Sequence, residues 1–324
     1  MPNNKSLFDP RLGKRPAQFA GRDDVLRDIR AALADPEEQY RTTILSGIKG
    51  SGKSSIISEV RSDPGSPGLV FVELKEGEDM PPAVSDARGA EAVTVYIVDD
   101  AYSEMKGLRV FLIDFSWRVH EGEDLKLILA GMPQDVDELL KDGRLAYLRR
   151  ARRISLGNLR TDEVLALFER SLAGTGAEQI DGNVLRRAAE ATGGYPYLVQ
   201  LIGYYLSKED KIIDDKAADN AIFLAKIELY KNIHEPLVFS LSSKDRIFLW
   251  AMAQDEGHTE FKEIAGRMGV SAGYASKYRE RLIHAGVIYS SSYGELAFTL
   301  PLMKEYINKE YIERLGGEGG KRRL

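Results

Sequence analysis

The sequence has no cysteine among its 324 residues, which excludes disulfides and thiolate metal sites and fits a reducing compartment. It has no apolar run near the roughly 18 residues that a membrane helix needs, so no membrane partner is expected. The opening residues Met1-Pro-Asn-Asn-Lys-Ser-Leu-Phe8 lack the apolar region of a secretion signal, and the expected location is the cytoplasm. Histidine is scarce. His258 and His284 have no metal-ligating neighbours at useful spacing, and both read as structural. No internal repeat is present. The net charge of −5 argues against a surface coated with nucleic acid. After residue 239 there are 13 Lys and Arg against 11 Asp and Glu, so the negative balance lies wholly before that point.

What is present suits a soluble globular chain of two or three domains, with 43% apolar and 29% charged residues. Strands are expected at 42–46, 69–74, 92–98, 125–130 and about 154–156. Helices are expected between them at 53–60, 108–119 and 135–151, with one before them at 23–33. The run Ala92–Val98 is nearly all apolar, as a strand buried on both faces requires. This alternation implies a parallel sheet covered on both sides. From Thr161 to Val238 the pattern is helical throughout, with no strand and with Pro196 at the first turn of one helix.

The segment Gly47-Ile48-Lys49-Gly50-Ser51-Gly52-Lys53-Ser54 matches G-x-x-x-x-G-K-[ST] in full. Its glycines let successive backbone N–H groups turn inward around phosphate oxygens, and the next helix aims its positive end at the same anion. These residues and Ser55 are the expected cofactor cradle for a nucleoside triphosphate. Lys53 is expected on the β- and γ-phosphates and Ser54 on Mg²⁺. The run Tyr96-Ile97-Val98-Asp99-Asp100 places two carboxylates at the carboxyl edge of the sheet, where open α/β sheets bind ligands. Asp99 is expected to hold Mg²⁺ and Asp100 to polarise an attacking water. The plainer alternative is a strand followed by an Asp-rich turn.

With these residues assembled, the chain resembles the AAA+ and STAND P-loop ATPases. Phe19-Ala20-Gly21-Arg22-Asp23 resembles the segment before the phosphate loop that packs near adenine. Leu127–Gly131 resembles the strand carrying the first sensor, and Gly194-Tyr195-Pro196 resembles the glycine–proline motif of the helical lid. The resemblance implies ATP as the nucleotide, with Phe19, Gly21 and Pro196 around its base. The absence of the Asn-Lys-x-Asp pattern of small GTPases points the same way. It further implies an arginine finger, for which Arg149 and Arg150 in Arg149-Arg150-Ala-Arg152-Arg153 are the candidates and homo-oligomers the requirement. A basic cluster at a helix end can equally be solvated and dipole-compensating. The chain departs from the AAA+ pattern in three places. Asp100 stands where Glu is usual, Gly131-Met132-Pro133 replaces the polar sensor with Gln134 nearest, and the second sensor's arginine is missing beside Gly194. Slow hydrolysis is therefore expected.

Residues 243–254, 260–268 and 272–285 read as three helices, with Thr259 as a cap and Gly269-Val270-Ser271 as a tight turn. A hairpin follows over 287–300. The set resembles a winged helix. In the DNA-binding reading, Ser271, Tyr274, Ser276, Lys277, Arg279 and Arg281 face duplex DNA, while Tyr278, Leu282 and Ile283 face the core. The alternative is a module docking on protein, because the hairpin tip Tyr289-Ser-Ser-Ser-Tyr-Gly-Glu295 is not basic. The expected layout is an α/β P-loop NTPase domain with a parallel sheet over 1–158 and a helical lid domain over 159–239. A C-terminal winged helix over 240–315 and a disordered tail over 316–324 complete it. The expected activity is ATP-dependent DNA binding with modest turnover. A STAND-like switch signalling through a protein partner, or a scaffold holding nucleotide structurally, are the alternatives.

Overall fold

A computed structural model describes residues 7–11, 16–35, 40–65, 67–77, 93–173, 179–209 and 212–309. The expected tail at 316–324, and the loop expected at 77–82 beyond its first residue, lie outside the described residues. Helix α1 (Asp23–Ala34) precedes β1 (Thr42–Ser46), and α2 (Lys53–Ser62) leads to β2 (Leu69–Glu73). Then come β3 (Val93–Ala101), α3 (Leu108–His120), β4 (Leu125–Gly131), α4 (Pro133–Lys141), a 3-10 turn (Gly143–Arg150) and β5 (Arg152–Ser155). The strands form a five-stranded sheet in the order β2-β3-β4-β1-β5, and all its pairings are parallel.

Alternation along each strand sends residues to opposite faces. Tyr96, Val98, Leu127 and Leu129 pack with Phe111, Leu112 and Phe115 of α3 on one side. Val95, Ile97, Ile128 and Ala130 pack with Leu26 and Ile29 of α1 and Ile56, Ile57 and Val60 of α2 on the other. Both faces are covered, which is why the central strands read as continuous apolar runs. Lys126 is the exception in buried β4. Its ammonium donates to the carbonyls of Ala32, Leu33 and Asp35 at 2.8, 2.9 and 2.7 Å, satisfying the open end of α1.

Helices α5 (Thr161–Leu172), α6 (Gly182–Ala191), α7 (Pro196–Leu206) and α8 (Asp215–Leu229) follow. The expectation of no strand here is corrected by β6 (Gln179–Ile180) and β7 (Ile212–Ile213), which pair in parallel. Two residues are too short for any periodicity to register.

The chain divides into two units, Met1–Ala225 and Lys226–Leu324. The second contains a π-helical turn (Tyr230–His234), α9 (Glu235–Phe239), α10 (Ser243–Met252), β8 (Thr259–Glu260), α11 (Phe261–Arg267), α12 (Ala272–His284), β9 (Ile288–Ser292) and β10 (Glu295–Phe298). The short β8 joins the hairpin in the order β8-β10-β9, antiparallel throughout. Thr259 is therefore a strand residue rather than a cap, and its hydroxyl donates to the Met252 carbonyl at 3.0 Å. Leu282 is buried and Tyr278 nearly so, while Ile283 is half-buried. Among the described residues, no helix is long and apolar enough to cross a membrane.

Candidate nucleotide site

The chain leaves β1 for β2 on one side of the sheet, while the connection from β4 crosses to β5 on the other. The carboxyl end of β1 is thus a switch point, where a crevice opens for a ligand. The phosphate loop occupies it. Gly50 and Gly52 adopt φ +78° and +96°, which L side chains rarely reach. Helix α2 starts at Gly52 with no side-chain cap and no acid in its first turn. Its positive end therefore carries no side-chain cap, a chemistry that suits an anion.

Lys53 is buried, and its ammonium donates to the Gly47 and Ile48 carbonyls at 2.9 and 3.2 Å. Burial pulls its pKa down, opposed by Asp100, Asp99 and Asp135. Asp99 responds in the opposite sense. Burial raises its pKa, and a hydrogen bond from Ser54 is the largest opposing influence. The two residues expected to share Mg²⁺ are therefore near enough to influence each other. Strand β3 runs further than expected and carries both carboxylates within it, with an irregularity between Val98 and Ala101. At that irregularity Asp100 takes φ +52°, an uncommon conformation outside glycine that Asp tolerates better than most residues. The bulge re-aims a side chain at the sheet edge.

Lys53, Ser54 and Asp100 border a cavity of 390 Å³, large enough for a small ligand, and Asp99 is not in its wall. Its wall joins Lys49–Ser55 and Asp100 with Phe19, Ala20, Arg22 and Pro196. Phe19 and Pro196 thus stand at one cavity with the loop. Gly47 and Ile48 are not in its wall, and serve through their carbonyls. Gly21 is also outside it. At φ +60° its α-carbon sits against the Glu163 carboxylate, where a Cβ would come within 2.3 Å.

The residues fit a magnesium nucleotide on their own chemistry. A positively polarised helix end, a buried ammonium, the Ser54 hydroxyl and the Asp100 carboxylate face one cavity. The buried Ser51 hydroxyl beside them has no hydrogen-bond partner.

Several wall residues are given no role by the sequence. Arg22 donates to the Gly157 carbonyl at 2.5 Å, and burial lowers its pKa against the pull of Glu163. Pro16, Gln18, Tyr197 and Gln200 line the cavity as well. Tyr195 lies behind the loop, its hydroxyl donating to the Lys49 carbonyl at 2.5 Å.

The remaining candidates lie elsewhere. Arg149 donates from Nε to the Leu140 carbonyl at 3.0 Å, which gives it a helix-capping role. Arg150 is exposed. In the second unit, Ser271 caps α12 by accepting from the Tyr274 N–H. Ser271, Tyr274 and Lys277 are exposed, and Ser276 and Arg279 are half-buried. Arg279 sits over the Phe261 ring at 4.8 Å and donates to Ser276. Arg281 is exposed as well, and it forks onto Asp245, which is 2% exposed, in an ion pair inside the module.

Residues 231–307 match a family described as a domain of unknown function, DUF8462. No curated protein matches the chain in sequence. Among solved structures, the Aeropyrum pernix ORC2 protein in its ADPNP–ADP complexes aligns with a TM-score of 0.62 at 11% identity, covering 97% of this chain and 99% of that one. The ADP form of the same protein aligns with a TM-score of 0.53 at 12% identity, covering 95% and 99%. At such identities the likeness concerns the fold alone. With its five-stranded parallel sheet and flanking helices, the chain shares the fold of that protein.

Proposed function

We propose that the chain binds ATP with Mg²⁺ on the loop Gly47–Ser54, turns it over slowly, and couples its nucleotide state to duplex-DNA binding by the C-terminal module. The observation that carries the reading is the single cavity bordered by the loop, Asp100, Phe19 and Pro196. Phe19 and Pro196 supply apolar surface for a base, and the N–H groups opening α2 supply donors for phosphate. Lys53 exchanges its carbonyl partners for phosphate oxygens and balances their charge. Ser54 and Asp99 would hold the metal, which when bound neutralises charge on the β- and γ-phosphates. Asp100 accepts a hydrogen bond from the attacking water. Its carboxylate is one methylene shorter than the usual glutamate, in keeping with slow turnover. Arg150 is the preferred finger, because Arg149 already caps α4. A finger acting on a neighbour's nucleotide requires homo-oligomers.

In the C-terminal module, read as a winged helix, Ser271, Tyr274, Ser276, Lys277, Arg279 and Arg281 form the DNA-facing set. One feature favours a second reading, a STAND-like switch with a protein partner. Tyr293, at the hairpin tip, is 105% exposed and has no basic neighbour in sequence. ATP hydrolysis with and without duplex DNA separates the two. DNA-stimulated turnover that disappears in Lys53→Ala supports the DNA reading, and its loss in an Arg150→Ala variant that still binds ATP supports the finger. Turnover indifferent to DNA transfers the argument to the protein partner.

A further inference from the structure

Tyr195 is fully buried, yet its hydroxyl reaches across 146 positions of sequence to the Lys49 carbonyl of the phosphate loop, at 2.5 Å. Its backbone is fixed as firmly as its ring. Gly194, at φ +70°, accepts from the Leu159 N–H at 2.8 Å, and a Cβ on Gly194 would come within 1.9 Å of the Leu159 carbonyl. The Gly194 N–H donates in turn to the buried Thr192 hydroxyl at 3.0 Å. Tyr195 then starts α7, with Pro196 next. The hydroxyl also lies against the α-carbon of Gly50, where a Cβ would come within 2.3 Å of it.

A trans peptide is planar, so the carbonyl of one residue and the N–H of the next point in opposite directions. The Lys49–Gly50 peptide is trans. Fixing the Lys49 carbonyl toward Tyr195 turns the Gly50 N–H away from it. Lys49 and Gly50 line the cavity and Tyr195 does not, so the side away from Tyr195 is the cavity side. We infer that Tyr195 is a positioning residue that holds the Gly50 N–H toward the phosphates and makes α7 respond to them. The inference rests on the proposed nucleotide reading of this cavity and adds the residue that ties the helical layer to the phosphate end, as distinct from the base end where Pro196 lies.

The test uses the full chain and Tyr195→Phe, which keeps the ring and removes one hydroxyl. ATP, ADP and adenosine compete against a fluorescent ATP analogue, with a thermal melt beside each. The expected result is a loss of about fivefold in affinity for ATP and ADP, the worth of one hydrogen bond, with adenosine unchanged. Equal losses for all three ligands, or none, overturn the inference while leaving the nucleotide reading standing. Failure of the unmodified chain to bind the analogue removes the nucleotide reading itself. Hydrogen exchange on the unmodified chain needs no variant. ATP is expected to slow exchange in residues 47–54 and 192–199 together, and protection confined to 47–54 overturns the link.

Discussion

Helices α2 and α12 each begin at a tight turn, and each was expected to meet phosphate, but their first turns are finished in opposite ways. At α2 the cap is Gly52, in a left-handed conformation, with no side chain to take up the leading N–H groups. At α12 Ser271 caps the helix and accepts from Tyr274. The basic side chains differ as well. Lys53 holds only loop carbonyls, neutral acceptors that phosphate oxygens can replace, whereas Arg281 grips a buried carboxylate. One helix end has no side-chain cap, and the other is largely satisfied from within. An anion site is built from unfinished hydrogen bonding as much as from charge.

The sharpest way to break this comparison is to remove the cation at each place. Lys53→Ala is expected to weaken ATP binding by about 100-fold, because two or more charge-assisted bonds to phosphate disappear. Titration with a fluorescent ATP analogue measures it. A loss below tenfold would mean that the backbone donors carry the site alone.

Acid separates the two units by a different route. In the first, the buried Lys53 has three carboxylates to oppose its desolvation. In the second, His234 is buried with the Tyr230 and Tyr306 rings each 5.4 Å away, and burial lowers its pKa to about 4, opposed by the Pro301 backbone. The ordinary value of 6.5 lies above this. The unfolded chain therefore takes up the proton first as pH falls. Stability from this residue is complete above pH 6.5 and lost progressively from there down to about pH 4. At pH ~5 the expected loss is about 2 kcal/mol. Melts at neutral pH and at pH ~5 test it, since His234→Phe should flatten that part of the dependence.

Arg281→Ala comes next in size. It leaves the Asp245 carboxylate buried without its partner, although Ser242 still caps it at 2.6 Å. The guanidinium is 51% exposed, so the penalty is discounted to about 1–2 kcal/mol. Thermal melting reads it directly. A variant that melts normally but loses DNA affinity would mean that Arg281 serves the DNA face and not the internal pair.

The same contrast explains which parts were legible in the sequence. The phosphate loop is written in spacing, because its chemistry is backbone geometry that glycine alone permits at Gly50 and Gly52. Asp99 and Asp100 were legible because an apolar run ending in acids locates a strand end. The sheet and most helix limits followed from periodicity within two or three residues. What stayed hidden depends on partners distant in the chain. Asp245 is 36 positions from Arg281, and Lys49 is 146 from Tyr195, so no local pattern announces either contact. Lys126 was equally silent, since nothing near it in sequence says that its ammonium finishes α1.

The smallest expected effect belongs to Lys277, an exposed cation on α12. If the proposed DNA face is right, Lys277→Ala removes one phosphate contact and no base contact. Affinity for duplex DNA should fall by about threefold at moderate salt, whatever the sequence, and the slope of log affinity against log salt should decrease by about 1. ATP affinity and melting temperature should stay where they were, because the side chain lies outside both the cavity and the Arg281–Asp245 pair. The salt slope is the discriminating quantity. A protein-facing module has few counterions to release, so an unchanged slope in the variant would mean that the exposed cation of α12 never met phosphate. The open helix end at α2 would then be the molecule's one proposed anion site.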